Sequence, residues 1–169
     1  DSDGPTRRIP LIGRFGDTAV PQLSLAVARD LLGIEKVVIQ EDSLRIAERT
    51  VPLTPEGALL LNWHGPLEGT YPTYAVGHVL QSFAQIEKQE RPVLDPAVFK
   101  DKIVFIAGTA AGLYDLRVTP FSSYTPGVLI HMTALDNLLH GRFLRSAPKW
   151  FSVLMLLMLC LISAWTFML

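Results

Sequence analysis

The segment from Phe99 to Pro148 reads FKDKIVFIAGTAAGLYDLRVTPFSSYTPGVLIHMTALDNLLHGRFLRSAP. Within it, Lys102 to Ala107 (KIVFIA) is apolar throughout after its lysine and is closed by Gly108. That is the pattern of a strand buried on both faces of a sheet. A loop from Gly108 to Pro126 follows, and Gly127 to His140 has the apolar content of a helix stopped by Gly141. A strand, a glycine-bearing loop and a helix in this order form the unit of an α/β fold.

Upstream, Asp1 to Arg8 is polar, carries Gly4 and Pro5, and reads as a linker. Pro21 to Gly33 (PQLSLAVARDLLG) starts on a residue suited to a first helical turn and stops on one suited to a helix end, so it predicts a helix. The β-branched run Lys36 to Gln40, the partly alternating run Leu44 to Val51, and Ala58 to Trp63 are separated by Glu41-Asp42-Ser43 and by Pro52 to Gly57. They predict two adjacent hairpins or a meander. In Tyr74 to Lys88, Val76, Val79, Leu80, Phe83 and Ile86 share one stripe, which predicts an amphipathic helix. The middle strands are joined too tightly for parallel crossovers, so the expected fold is α/β with a mixed sheet and flanking helices.

Downstream, Trp150 to Leu169 is apolar except for Ser152, Ser163 and Thr166. Trp150 and Phe151 stand at one end, Trp165 and Phe167 near the other, and Arg142, Arg145 and Lys149 just outside. The length and the aromatic flanks predict one transmembrane helix over 150–169, following a globular part over 1–149. Because the chain opens on Asp1 and ends inside the apolar run, both ends are expected to be cuts in a longer polypeptide.

Composition narrows the function. The chain has 169 residues, 18% charged and 49% hydrophobic, with 15 Lys+Arg against 16 Asp+Glu for a formal net charge of -1. That balance leaves no electrostatic footprint for nucleic acid. Cys160 is the single cysteine, so no disulfide framework, cysteine zinc site or redox pair is expected. There is no G-x-S-x-G elbow, H-E-x-x-H pair, Gly-Lys-Ser/Thr phosphate loop or G-x-G-x-x-G fingerprint, so neither catalytic residues nor a metal or cofactor are expected.

The candidate site is the loop after KIVFIA. In open α/β sheets ligands bind at the carboxyl ends of strands, where a glycine lets backbone amides approach them. Gly108, Thr109, Gly112, Asp115 and Thr119 are the candidate ligand-binding residues there, although the local pattern alone favours a structural turn. His131 stands on an otherwise apolar stretch of the following helix. A buried imidazole requires a partner, and Asp115 or Thr119 could provide it. Such a contact would either fasten the loop to the helix or serve as a proton-linked switch, since histidine titrates near neutral pH. His64, His78 and His140 are scattered along the sequence and read as surface residues.

The order KIVFIA, Gly108-Thr109-Ala110, Gly112-Leu113, Asp115, Thr119-Pro120, Pro126-Gly127-Val128 and Ile130-His131, then Leu138-Leu139, Gly141 and an apolar run, closely resembles the C-terminal half of the second type of CHASE domain. The upstream pieces VPLTPEGALLLNWHG and YPTYAVGHVL are similar as well, so the resemblance runs from about Val20 to the end. Met132 and Ala75 depart from the usual pattern, where small residues and Ser are common.

The resemblance implies a non-catalytic extracytoplasmic sensory domain of a bacterial transmembrane receptor. Its output would be a cytoplasmic nucleotide cyclase or a kinase. It also implies that the N-terminal half of the domain is missing from this chain and supplies strands beside KIVFIA. The expected setting is the bacterial inner membrane, with the globular part periplasmic or extracellular and lipid around 150–169. The expected partners are a second copy of the chain and an unidentified small-molecule or protein signal. Two other readings compete: a membrane-anchored α/β enzyme using Asp115 and His131 as acid and base, and a protein-interaction module of the cell envelope.

Overall fold

The computed structural model describes residues 4–109 and 115–168. The chain starts with β1 (Arg8–Pro10), β2 (Ile12–Phe15) and β3 (Thr18–Pro21), followed by helix α1 (Leu23–Leu31). Strands β4 (Val38–Ile39), β5 (Ser43–Ile46), β6 (Arg49–Pro52) and β7 (Ala58–Leu60) come next. A single turn, α2 (Leu67–Thr70), is interrupted at Gly69, and the longer α3 (Val76–Glu87) follows it. After a short 3-10 turn at Pro96–Phe99 come β8 (Leu116–Arg117), β9 (Thr125–Pro126), α4 (Val128–His140) and α5 (Lys149–Met168).

The strands form four small antiparallel sheets, in the orders β1-β7, β2-β3, β4-β5-β6 and β8-β9. The α/β class therefore holds, while the expected single mixed sheet is replaced by separate small ones. The run Leu44 to Val51, expected as one piece of the hairpins or meander, instead folds back on itself as β5 and β6 beside β4, and β7 leaves them to pair with β1, Ile9 opposite Leu59. Arg8, expected to end a linker from Asp1, thus opens a strand. Thr6 N also donates to Val118 O at 2.8 Å, tying the start of the chain to the segment after β8.

The core lies between these sheets and the α1–α4 pair. Leu25 and Ala28 of α1 meet Ile130, Ala134, Leu135 and Leu138 of α4, with Ile9, Leu11, Leu44, Ile46, Val51, Leu59 and Leu61 beneath. Buried positions in α4 recur as Leu129/Ile130, Thr133/Ala134 and Asn137/Leu138, pairs four residues apart that keep one broad face inward. Gly141, at φ +68, takes the left-handed conformation that ends the helix. The boundaries of α4 therefore match the expectation from Gly127 and Gly141.

Two expectations are overturned by exposure. Residues 102–109 form no strand, and Ile103, Val104 and Ile106 are 47%, 53% and 87% exposed. An extended run becomes a strand only when another chain segment accepts and donates its backbone hydrogen bonds, and among the described residues no strand lies beside it. Likewise α3 forms as expected, but its apolar stripe faces outward, with Leu80 and Phe83 more than half exposed. Its buried residue is Ser82, whose Oγ donates to His78 O at 2.8 Å and accepts from Leu94 N at 2.8 Å.

The expected transmembrane helix is not met either: among the described residues no helix is long and apolar enough to cross a membrane. Helix α5 is continuous over 20 residues, and its described side chains run from Trp150 to Thr166.

Candidate functional site

Helix α4 carries polar groups at both ends of its buried face. At its start, the β8-β9 pair sets Leu116 opposite Pro126 and Arg117 opposite Thr125. The tight loop between these strands is closed by Thr119, which is buried. Thr119 N donates to Ser122 O at 2.8 Å, and its Oγ1 lies 3.0 Å from Thr125 Oγ1. Gly127 N donates to Asp115 O at 2.8 Å, so the loop is anchored directly ahead of α4.

The Asp115 carboxylate lies over the α-carbon of Gly127: a Cβ there would fall 2.4 Å from Oδ1 and 2.6 Å from Oδ2. Gly127 has helical backbone angles, φ -59 and ψ -25, so it is this close approach that requires a glycine rather than the turn. Arg117 Nε stands 3.6 Å from Asp115 Oδ1 on the exposed side.

Half-buried His131, one turn into α4, departs from expectation. Its Nδ1 is buried and has no hydrogen-bond partner among the described residues. Neither Asp115 nor Thr119 reaches it: the first is taken up with Gly127 and Arg117, the second with Ser122 and Thr125. The expected His131 contact with the loop is therefore not made through Nδ1. Gly108 and Thr109 are exposed and outside any strand, and Gly112 lies outside the described residues. Of the six candidates, the structure fixes Asp115 and Thr119 at the head of α4 and leaves an unpartnered nitrogen on His131.

At the other end of α4, sequence reasoning missed a cluster. Asn137 is wholly buried and holds the backbone of Asn62, which follows β7. Next to it, Asp136 Oδ2 lies 2.5 Å from His64 Nε2 and Oδ1 lies 2.9 Å from His140 Nδ1. Arg49 Nη1 donates to the carbonyls of Leu138 and Leu139, satisfying the open end of the helix. The i,i+4 spacing of Asp136 and His140 was legible in the sequence, but His64 is 72 positions away from Asp136. Only the β1-β7 pairing brings it there.

Tyr71 completes this end. Burial first, and then the Asp136 charge, push its phenol above the usual tyrosine value. The Thr133 side chain opposes this without completing a hydrogen bond, so Tyr71 Oη is buried and unpartnered among the described residues.

A cleft of about 380 Å³ opens where Leu144, Arg145 and Ser146 of the connector lie over Thr50, Thr54 and Leu60. The segment leaving α4 thus rests on the sheet side of the domain, and Phe143 packs against the core.

No curated protein and no solved structure matches the chain. Residues 1–165 match the family model of the CHASE2 domain, and the chain belongs to that family of extracellular sensory domains of signalling receptors.

Proposed function

We propose that this chain is the extracytoplasmic sensory part of a bacterial transmembrane receptor, and that it performs no chemistry itself. The observation that carries this reading is the CHASE2 match over residues 1–165. In this reading the head of α4 reads the signal. A buried nitrogen without a partner costs on the order of 1–3 kcal/mol, and His131 Nδ1 is such a group beside the Asp115–Thr119 loop. A ligand, or a segment of the receptor outside this chain, that accepts from or donates to Nδ1 would recover that loss. The outward apolar residues of 102–109 and of α3 suit a further part of the same polypeptide or a second copy of the chain.

Helix α5 seats the domain on the membrane. Leu156, Leu161 and Trp165 are more than 60% exposed, an apolar surface that suits a membrane face. The cytoplasmic output is a nucleotide cyclase or a kinase.

Topology supplies the test. Glu87 is exposed at the end of α3 and holds no fold contact described above. With Cys160 replaced by Ser, Glu87→Cys should react with a membrane-impermeant thiol reagent on cells whose outer membrane alone is permeabilised. Labelling that appears only after lysis of the inner membrane would place the domain in the cytoplasm and end the reading.

A further inference from the structure

Asp136 and His140 lie one turn apart near the end of α4, and His64 approaches from the chain that leaves β7. The two carboxylate oxygens are divided between the imidazoles, Oδ2 to His64 Nε2 and Oδ1 to His140 Nδ1. His140 Nδ1 also stands 3.1 Å from Asp136 O. An ionised carboxylate and a carbonyl only accept hydrogen bonds, so both of these ring nitrogens carry the proton. Each imidazole keeps its other nitrogen free to take up one more.

The charge states follow directly. With both rings neutral the cluster carries the single negative charge of Asp136; one proton brings it to zero, and a second makes it positive. His64 and Asp136 side chains are only 23% and 21% exposed, so their charges are screened less than those of a surface pair. The other groups facing the cluster are Tyr71, whose phenol feels Asp136, and Arg49 of β6, whose guanidinium occupies the last carbonyls of α4. A cation at this end is also favoured by the helix dipole. A metal does not fit: among the described residues no group of three His, Cys, Asp or Glu is arranged to hold one.

We infer that His64, Asp136 and His140 form a proton-binding latch: taking up one proton tightens the hold of the β7 exit on the last turn of α4, and losing it loosens that hold. The latch adjoins Gly141, where the chain turns into the connector toward α5. What it reports to depends on the sensory reading above, but the proton coupling is a property of this chain alone.

Amide hydrogen exchange on the full chain in detergent micelles, corrected for intrinsic rates, tests it. Protection of the Arg142 amide, which donates to Asn137 O at 3.1 Å, reads the last turn. Protection should rise severalfold on acidification from about pH 8 to about pH 5, the window in which histidine changes charge. It should stay flat in the double variant His64→Gln/His140→Gln and in Asp136→Asn, and rise as in the wild type in His78→Gln, whose histidine lies on α3. A flat wild-type profile, or a rise that survives in His64→Gln/His140→Gln, overturns the latch, whether or not any variant loses stability. A rise in the wild type together with receptor output indifferent to pH would keep the latch and count against the sensory reading.

Discussion

Asn137 closes both backbone hydrogen bonds of Asn62 at once: Nδ2 donates to Asn62 O at 3.1 Å, and Oδ1 accepts from Asn62 N at 2.9 Å. Asn137 is 0% exposed, on the core face of α4 beside Leu138. The strand leaving β7 cannot hydrogen-bond to a further strand at this point, and the asparagine takes the place of one.

Removing this side chain therefore strands two backbone groups inside the protein. Each net hydrogen bond contributes about 1 kcal/mol, and each buried group left unmet costs about 1–3 kcal/mol. Asn137→Ala should lower stability by roughly 2–4 kcal/mol in urea unfolding, with the slope of the transition unchanged. A loss below about 1 kcal/mol would mean that water reaches Asn62 and replaces the side chain.

How much of this was legible in the sequence depends on the range of the interaction. Helix α4 and its stop at Gly141 rest on local signals, and both were readable from Gly127 to Gly141. Asn137 was not, because within its own helix it is only a polar residue among apolar ones, and its partner is 75 positions away. The same limit hid His64, 72 positions from Asp136. The run KIVFIA has the composition of a buried strand, but strand formation depends on a neighbour that no local pattern contains, and here the run is exposed. The strand Arg8–Pro10 failed in the opposite sense: Arg8 reads as the end of a linker and Ile9 and Pro10 carry no strand signal until Leu59 pairs with Ile9. Asp115 and Thr119 were found as a chemically unusual loop. Their partners, Gly127 and Thr125, lie close enough in sequence to have been guessed, unlike the empty Nδ1 of His131.

Asp115 separates a signal-reading role from a structural one. Its carboxylate is 55% exposed and 3.6 Å from Arg117, an arrangement contributing about 0–1 kcal/mol. The hydrogen bond that holds the loop uses its backbone oxygen, not its side chain. Asp115→Asn should therefore leave thermal stability within about 1 kcal/mol of the wild type while changing receptor output. Gly127→Ala should push the carboxylate aside, since the helical backbone accepts alanine and only the 2.4 Å approach must be relieved. The two substitutions should alter output in the same way. Several kcal/mol of destabilisation by Asp115→Asn, with output following only the folded yield, would make the carboxylate a fastener.

Tyr71 makes the fold sensitive to alkali. Burial is the main cause that raises its phenol, with the Asp136 charge second. The folded state therefore holds this proton more tightly than the unfolded chain, whose phenol titrates near pH 10. The stabilisation is complete below about pH 10 and is lost as pH rises through the folded value. Tyr71→Phe keeps the ring and removes a hydroxyl that has no hydrogen-bond partner among the described residues. Its stability at neutral pH should equal or exceed that of the wild type, and it should lose less stability between about pH 9 and pH 11, read by urea midpoints. Equal alkaline losses in both proteins would remove Tyr71 from the account.

The connector offers a test of how a signal leaves the domain. Between α4 and α5 the chain runs from Gly141 to Pro148, a short path that holds Phe143 against the core and places Leu144, Arg145 and Ser146 over Thr50, Thr54 and Leu60. Pro148 fixes a backbone angle directly ahead of α5, and its carbonyl accepts from Phe151 N at 2.9 Å in the first turn of that helix. A short stiff path packed on the domain transmits a displacement of α4, whereas a flexible one absorbs it. Inserting about ten Gly and Ser residues between Arg145 and Pro148 adds slack on the order of 17 Å, by random-coil dimensions. The domain should keep its urea midpoint, because the insertion lies beyond Phe143 and before the first turn of α5. Receptor output should then no longer follow the signal. A receptor that responds normally with this insertion would show that the junction does not carry the displacement, and docking of the domain on another protein of the envelope would become the better account of its role.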